Sequence, residues 1–128
     1  MTGAMRGWDA KCLDDMGNSS SQRAKVSIWS CNGSDRAQQW TYQGGELKHN
    51  NLCLNAKGSA KSGSKVILWA CTGSSNEIWV INTINHQVEL KDHGFTLCLD
   101  DPAYSTKNGT QLMVYKCNNS PNQHWSTP

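Results

Sequence analysis

Residues 98–125 read CLDDPAYSTKNGTQLMVYKCNNSPNQHW, and the same sentence occurs twice upstream, as CLDDMGNSSSQRAKVSIWSCNGSDRAQQW at 12–40 and CLNAKGSAKSGSKVILWACTGSSNEIW at 53–79. Each copy runs Cys-Leu-Asp/Asn, a polar loop, a short apolar run, an aromatic two residues before a second cysteine, another polar loop and a closing Trp. The first cysteines recur at intervals of 41 and 45 residues, a period that marks a repeat architecture.

Between the copies, TYQGGELKHNN and VINTINHQVELKDHGFT each hold two short apolar stretches around polar turn residues, which reads as strand, turn, strand. AMRGWDAK before Cys12 matches the second half of such a connector. The last unit therefore lacks one strand, and the N-terminal AMR segment is expected to supply it and close three units into a ring without exposed sheet edges. The repeats fall at about 4–43, 44–85 and 86–128 of one domain, residues 4–128.

Alternate residues of a strand share a face. Val26 with Ile28, Val66 with Leu68, and Leu112 with Val114 are thus expected in the core. Trp29, Trp69 and Tyr115 then face outward, which is unusual for a soluble surface unless something stacks on them. Trp40, Trp79 and Trp125, which end the units, are expected as large core residues around a pseudo-threefold axis.

A chain of 128 residues suits one domain. With 37% hydrophobic residues and a mean hydropathy of -0.63, its core is lean. Six cysteines in such a chain favour three disulfides and an oxidising, extracellular setting. Zinc sites bring ligands in close pairs, whereas the cysteines here stand 19, 18 and 19 residues apart, so no metal or other cofactor is expected. The repeat places one staple inside each unit, Cys12–Cys31, Cys53–Cys71 and Cys98–Cys117, although six cysteines allow fifteen connectivities in principle. Closing each loop contributes on the order of 3 kcal/mol in the chain-entropy picture.

A net charge of +2, with Lys and Arg dispersed, gives no argument for nucleic acid. No run of about twenty apolar residues offers a bilayer span. MTGAMRGWDA has no apolar stretch of signal-peptide length, and the expectation is a piece of a longer secreted protein.

Three units of Cys-Leu-Asp/Asn, aromatic-x-Cys and Gln-x-Trp, the last as Gln38-Gln-Trp40, Glu77-Ile-Trp79 and Gln123-His-Trp125, resemble the ricin B-chain type lectin domain from about Ala4 to Trp125. The resemblance implies an all-β β-trefoil with one disulfide per repeat. It also implies non-catalytic binding of galactose-type sugars (galactose or N-acetylgalactosamine in a glycan) by a secreted monomer, tethered to a glycoside hydrolase or another secreted domain. Each repeat would hold one shallow site, made from the Asp two after the first Cys, the aromatic two before the second, and an Asn-Gln just before the last Trp. Repeat three keeps the whole set as Asp100, Tyr115, Asn122 and Gln123. Repeat one has Asp14, Trp29 and Gln38, with Ala37 where the Asn would stand. Repeat two has Asn55 for the Asp, Trp69, Asn76, and Glu77 for the Gln, and is expected to be weak or lost.

Chemistry accounts for these types. A pyranose has an apolar C–H patch on one ring face and hydroxyls at its rim, so it needs an aromatic plate and a few fixed polar groups. A carboxylate accepts from two neighbouring hydroxyls at once, through charge-assisted bonds. In repeat three Asp100 takes that role, Tyr115 stacks, Asn122 bonds a hydroxyl and Gln123 orients Asp100. Two alternatives remain: a module for xylan or arabinan, and a trefoil that engages or inhibits proteins without a sugar site.

An enzyme is disfavoured. The paired acids at 14–15 and 100–101 would point to opposite faces of an extended strand, against the facing carboxylates that glycoside hydrolysis requires. His49, His86, His93 and His124 have no ligand spacing and read as surface or turn residues, and Lys57, Lys61 and Lys65 read as a solvated basic loop.

Overall fold

The alternating run Val26-Ser27-Ile28-Trp29 forms β3 (Val26–Trp29) and pairs antiparallel with β2 (Cys12–Asp15) in the computed structural model, which describes residues 2–16, 18, 21–33, 36–91, 94 and 96–128. The other two copies fold alike. β6 (Leu52–Ala56) pairs with β7 (Val66–Ala70), and β10 (Leu97–Asp100) with β11 (Met113–Lys116). The connectors make the expected hairpins, β4 (Trp40–Gln43) with β5 (Glu46–His49) and β8 (Trp79–Ile81) with β9 (Val88–Leu90). At the third connector the two ends of the chain meet, where Arg6 and Ser126 exchange backbone hydrogen bonds of 3.0 and 2.7 Å. β1 (Thr2–Gly3), just before the expected start of the first repeat, pairs with β4.

The three inner strands close on one another around the pseudo-threefold axis. Leu112 N donates to the Val26 carbonyl, Val66 N to that of Leu112, and Leu68 N to that of Ala24, each at 2.9–3.0 Å. These bonds join the inner strand of each unit to that of the next, which covers edges that an open sheet would leave free. Val26, Ile28, Val66, Leu68, Leu112 and Val114 are all fully buried, as the period-two alternation requires.

Trp40, Trp79 and Trp125 are core residues, and each indole Nε1–H donates to the carbonyl of the Leu that follows the first cysteine of its own repeat: Leu13, Leu54 and Leu99, at 3.0, 3.0 and 3.1 Å. A buried indole needs such a partner. The closing Trp is thereby locked to the opening Cys-Leu, so the two ends of each repeated sentence read as one structural unit. Disulfides join Cys12 to Cys31, Cys53 to Cys71 and Cys98 to Cys117, one per repeat.

Candidate functional site

Strand register decides which side chains meet. Cys98 stands opposite Tyr115 and Asp100 opposite Met113, so Asp100 and Tyr115 share one face as diagonal neighbours, a separation that aromatic and long side chains bridge. The same register sets Asp14 diagonal to Trp29 and Asn55 diagonal to Trp69. Tyr115 is 44% exposed and Trp29 40%, whereas Trp69 is only half-buried. All three plates look out over a short polar residue at the floor.

In repeat three the floor is rigid. Gln123 Nε2 donates to Asp100 Oδ2 at 2.9 Å and to the Lys116 carbonyl at 3.0 Å, while its Oε1 accepts from Asn118 N at 3.0 Å. Gln123 thus clamps Asp100 to both sides of Cys117. Asn122 Nδ2 donates to Asp100 Oδ1 at 3.2 Å and to the Asp101 carbonyl at 3.1 Å, so both amide hydrogens turn inward instead of outward to a ligand. Each Asp100 oxygen accepts one bond and retains a further lone pair. Burial, with Asp100 only 2% exposed, raises its pKa, and the Gln123 hydrogen bond opposes that rise.

Repeat one repeats the clamp without the Asn. Gln38 donates to Asp14 Oδ2 and to the Ser30 carbonyl, both at 3.0 Å, and accepts from Asn32 N. Ala37 is buried where Asn122 stands in repeat three.

Repeat two keeps the clamp with its polarity reversed. Asn55 Nδ2 donates to Glu77 Oε2 at 2.9 Å, and Glu77 Oε1 accepts from Thr72 N and Thr72 Oγ1 at 2.8 and 3.0 Å. Glu77 is 0% exposed. The carboxylate that stands for the Gln in this repeat is internal, because its oxygens replace the Gln amide in holding the loop after Cys71. Asn76 Nδ2 is turned inward to the Ala56 and Gly58 carbonyls at 3.0 and 3.2 Å, with a longer contact to Asn55 Oδ1.

The second residue of each acidic pair lies on the other face, as alternation requires, and the three repeats treat it differently. Asp15 is fully buried against His49, 3.0 Å from its Nε2. His49 Nδ1 meets the Gln39 carbonyl at 3.0 Å and Nε2 also meets Asn18 Oδ1 at 3.1 Å, so both ring nitrogens face acceptors, the pattern an imidazolium satisfies. Burial opposes that charge, but the pull of the adjacent Asp15 carboxylate, the Gln39 hydrogen bond and the charge of Asp14 outweigh it and raise the His49 pKa. His49 is thus a core residue and not the surface or turn residue that its place in a connector suggested. His93 lies outside the described residues. In repeat two the position is Ala56. In repeat three Asp101 is fully buried, and neither carboxyl oxygen has a hydrogen-bond partner among the described residues. Burial, then the charges of Asp100 and Asp9, push its pKa up to about 7.

A cleft of about 440 Å³ lies over the middle repeat, lined by Asn55, Lys57, Ile67, Trp69, Thr72 and Asn76 together with Arg23, which arrives from repeat one. Sequence reasoning missed Arg23, since nothing local ties it to a residue 46 positions away.

The sequence model of the ricin-type beta-trefoil lectin domain matches residues 1–125. Among solved structures, the agglutinin from Abrus precatorius superposes with a TM-score of 0.86 at 24% identity, over 98% of this chain and 47% of its own. The C-half of the earthworm R-type lectin, in complex with GalNAc, gives a TM-score of 0.83 at 14% identity over 98% and 95%. A non-toxic homologue of type II RIPs from Momordica charantia (bitter gourd), in complex with alpha-methyl-D-galactoside, gives 0.83 at 22% over 98% and 46%.

Proposed function

The chain belongs to the ricin-type β-trefoil lectin family, and from that premise we propose that it is a non-catalytic carbohydrate-binding domain whose best site is the third repeat, for galactose or N-acetylgalactosamine. The supporting observation is the diagonal placement of Asp100 and Tyr115 on one outward face, with Asp100 fixed by Asn122 and Gln123. A ring stacked on Tyr115 presents two rim hydroxyls to the remaining lone pairs of Asp100. An axial hydroxyl beside an equatorial one leaves a continuous C–H face for the plate, which favours galactose-type sugars, the kind bound in the earthworm and bitter-gourd structures.

Asp14 and Trp29 form a second, weaker site in the same register. Two sites on one scaffold raise apparent affinity for a repeating glycan through effective concentration. The domain acts as a monomer that anchors an attached secreted domain to such a glycan. The three disulfides fit that extracellular setting.

Titration with methyl α-galactoside tests the reading. Asp100→Ala removes charge-assisted bonds worth about 1.5–3 kcal/mol and is expected to weaken binding roughly tenfold to a hundredfold. Asp14→Ala costs less, and Asn55→Ala almost nothing. Equal losses from all three would sink the assignment of the third repeat.

A further inference from the structure

The geometry points to the middle cleft as a binding site for an acidic saccharide, a sugar bearing a carboxylate or a sulfate ester, distinct from the neutral galactose site. Three observations converge there. Its volume falls in the range of about 300–1,000 Å³ usual for small-ligand sites. Its charged lining residues are both cations, Arg23 and Lys57, and neither is ion-paired among the described residues. The carboxylate of this repeat, Glu77, is sealed beneath the floor with both oxygens engaged. Asn55 has replaced the outward acid and donates an amide hydrogen to Glu77, so no lining residue of the cleft is an anion that could accept from sugar hydroxyls.

Arg23 is placed with some strain. It is a non-glycine residue at φ 72°, and its N–H donates to the Leu68 carbonyl at 2.8 Å, which fastens it beside the strand that carries Trp69. Backbone strain of this kind persists where the surroundings enforce it. The guanidinium carbon lies 5.4 Å from the centroid of the Trp69 ring, a cation–π stack that holds the planar fork in place. That fork matches a carboxylate or sulfate in two parallel hydrogen bonds. It also shields Trp69, in keeping with the lower exposure of that plate beside Trp29 and Tyr115. A neutral pyranose therefore finds neither a free plate nor a charged acceptor among the lining residues. An acidic one finds two cations on a partly desolvated wall.

The test uses the full chain, nitrogen-15 labelled, titrated separately with methyl α-galactoside, methyl α-galacturonide and methyl α-galactoside 6-sulfate. One or both acidic probes are expected to shift the amides of Trp69, Lys57 and Thr72, and which of them binds more tightly identifies carboxylate or sulfate as the preferred group. Arg23→Gln should weaken that binding at least tenfold, Arg23→Lys should restore only part of it, and 0.5 M NaCl should weaken it without changing the galactoside response near Tyr115. The inference is overturned if acidic probes leave the middle cleft unmoved, if neutral galactoside shifts it equally, or if Arg23→Gln changes nothing. Failure of the galactoside to shift Tyr115 would instead strike the third-repeat reading and leave this one intact.

Discussion

The middle and third repeats share strand register, a disulfide, a locked Trp and a floor clamp, yet they present opposite electrostatics to solvent. In the third, the carboxylate stands on the outward strand and the amide beneath it donates. In the middle, the amide stands on the strand and the carboxylate lies beneath it and accepts. One exchange of donor and acceptor leaves the hydrogen bond intact and withdraws the charge from the surface. The scaffold thus separates what holds the loop from what faces a ligand, and a site can change chemistry while its fold is unaltered.

The sharpest way to break that comparison is Asn55→Asp alone. It would set two buried carboxylates across a contact that now measures 2.9 Å, and an uncompensated buried charge costs about 3–5 kcal/mol. Thermal or urea denaturation should show that loss, and adding Glu77→Gln should recover most of it. Together with Arg23→Gln, which uncovers Trp69, the double substitution copies the third repeat and should also give the middle repeat a response to methyl α-galactoside. Additive effects of the two changes would refute the reversed clamp.

Next in size is the buried ion pair between Asp15 of repeat one and His49 of repeat two. His49→Gln leaves Asp15 buried without its cation, at a cost of about 3 kcal/mol. Because the folded pKa of His49 is raised above 6.5, the deficit of the variant should be full below pH 6.5 and shrink as pH rises through the folded value. Asp101 offers the converse. Its folded pKa of about 7 lies well above the ordinary aspartate value, so the folded state retains a proton that the unfolded state releases, and stability should fall as pH rises from about 4 to about 7. Asp101→Asn should remove that slope and gain about 1–3 kcal/mol at pH 8, in the manner of an unsatisfied buried group made neutral. Melting curves between pH 4 and 8.5 distinguish the two variants by the direction in which each departs from the parent.

The smallest effect is expected from Ala37→Asn. It adds to repeat one the amide that braces Asp100 in repeat three, worth about 1 kcal/mol. Galactoside affinity at the Trp29 plate should improve roughly fivefold, and a stability gain without an affinity gain would show that bracing the acid is not what limits that site.

Much of this was legible in the sequence, for reasons that particular residues make plain. Period-two alternation placed Ile28 inside and Trp29 outside, and threefold repetition turned weak local signals into one consistent pattern. The pairing of cysteines and the meeting of chain ends followed from the same register. What the residues did not disclose depends on contacts between repeats and on which way a side chain turns. Arg23 reaches Trp69 across a repeat boundary, His49 is drawn inward by an acid of the previous unit, and Glu77 could have pointed either way. One signal was present: Asp-with-Gln became Asn-with-Glu in a single repeat, a compensated exchange that implies a direct bond between the two positions.

The disposition of the indoles has an optical consequence. Trp40, Trp79 and Trp125 are sealed in the core and hydrogen-bonded alike, so their blue-shifted emission reports global unfolding. Trp29 and Trp69 sit at the first and middle plates and, with the part-buried Trp8 set edge-on against Tyr104, emit toward the red, with the two plates open to quenching by whatever covers them. The third plate is a phenol, Tyr115, so a ligand there leaves the indole emission unchanged. Emission can therefore separate denaturation, which moves the core indoles, from a ligand that covers Trp29 or Trp69, which moves only the red component.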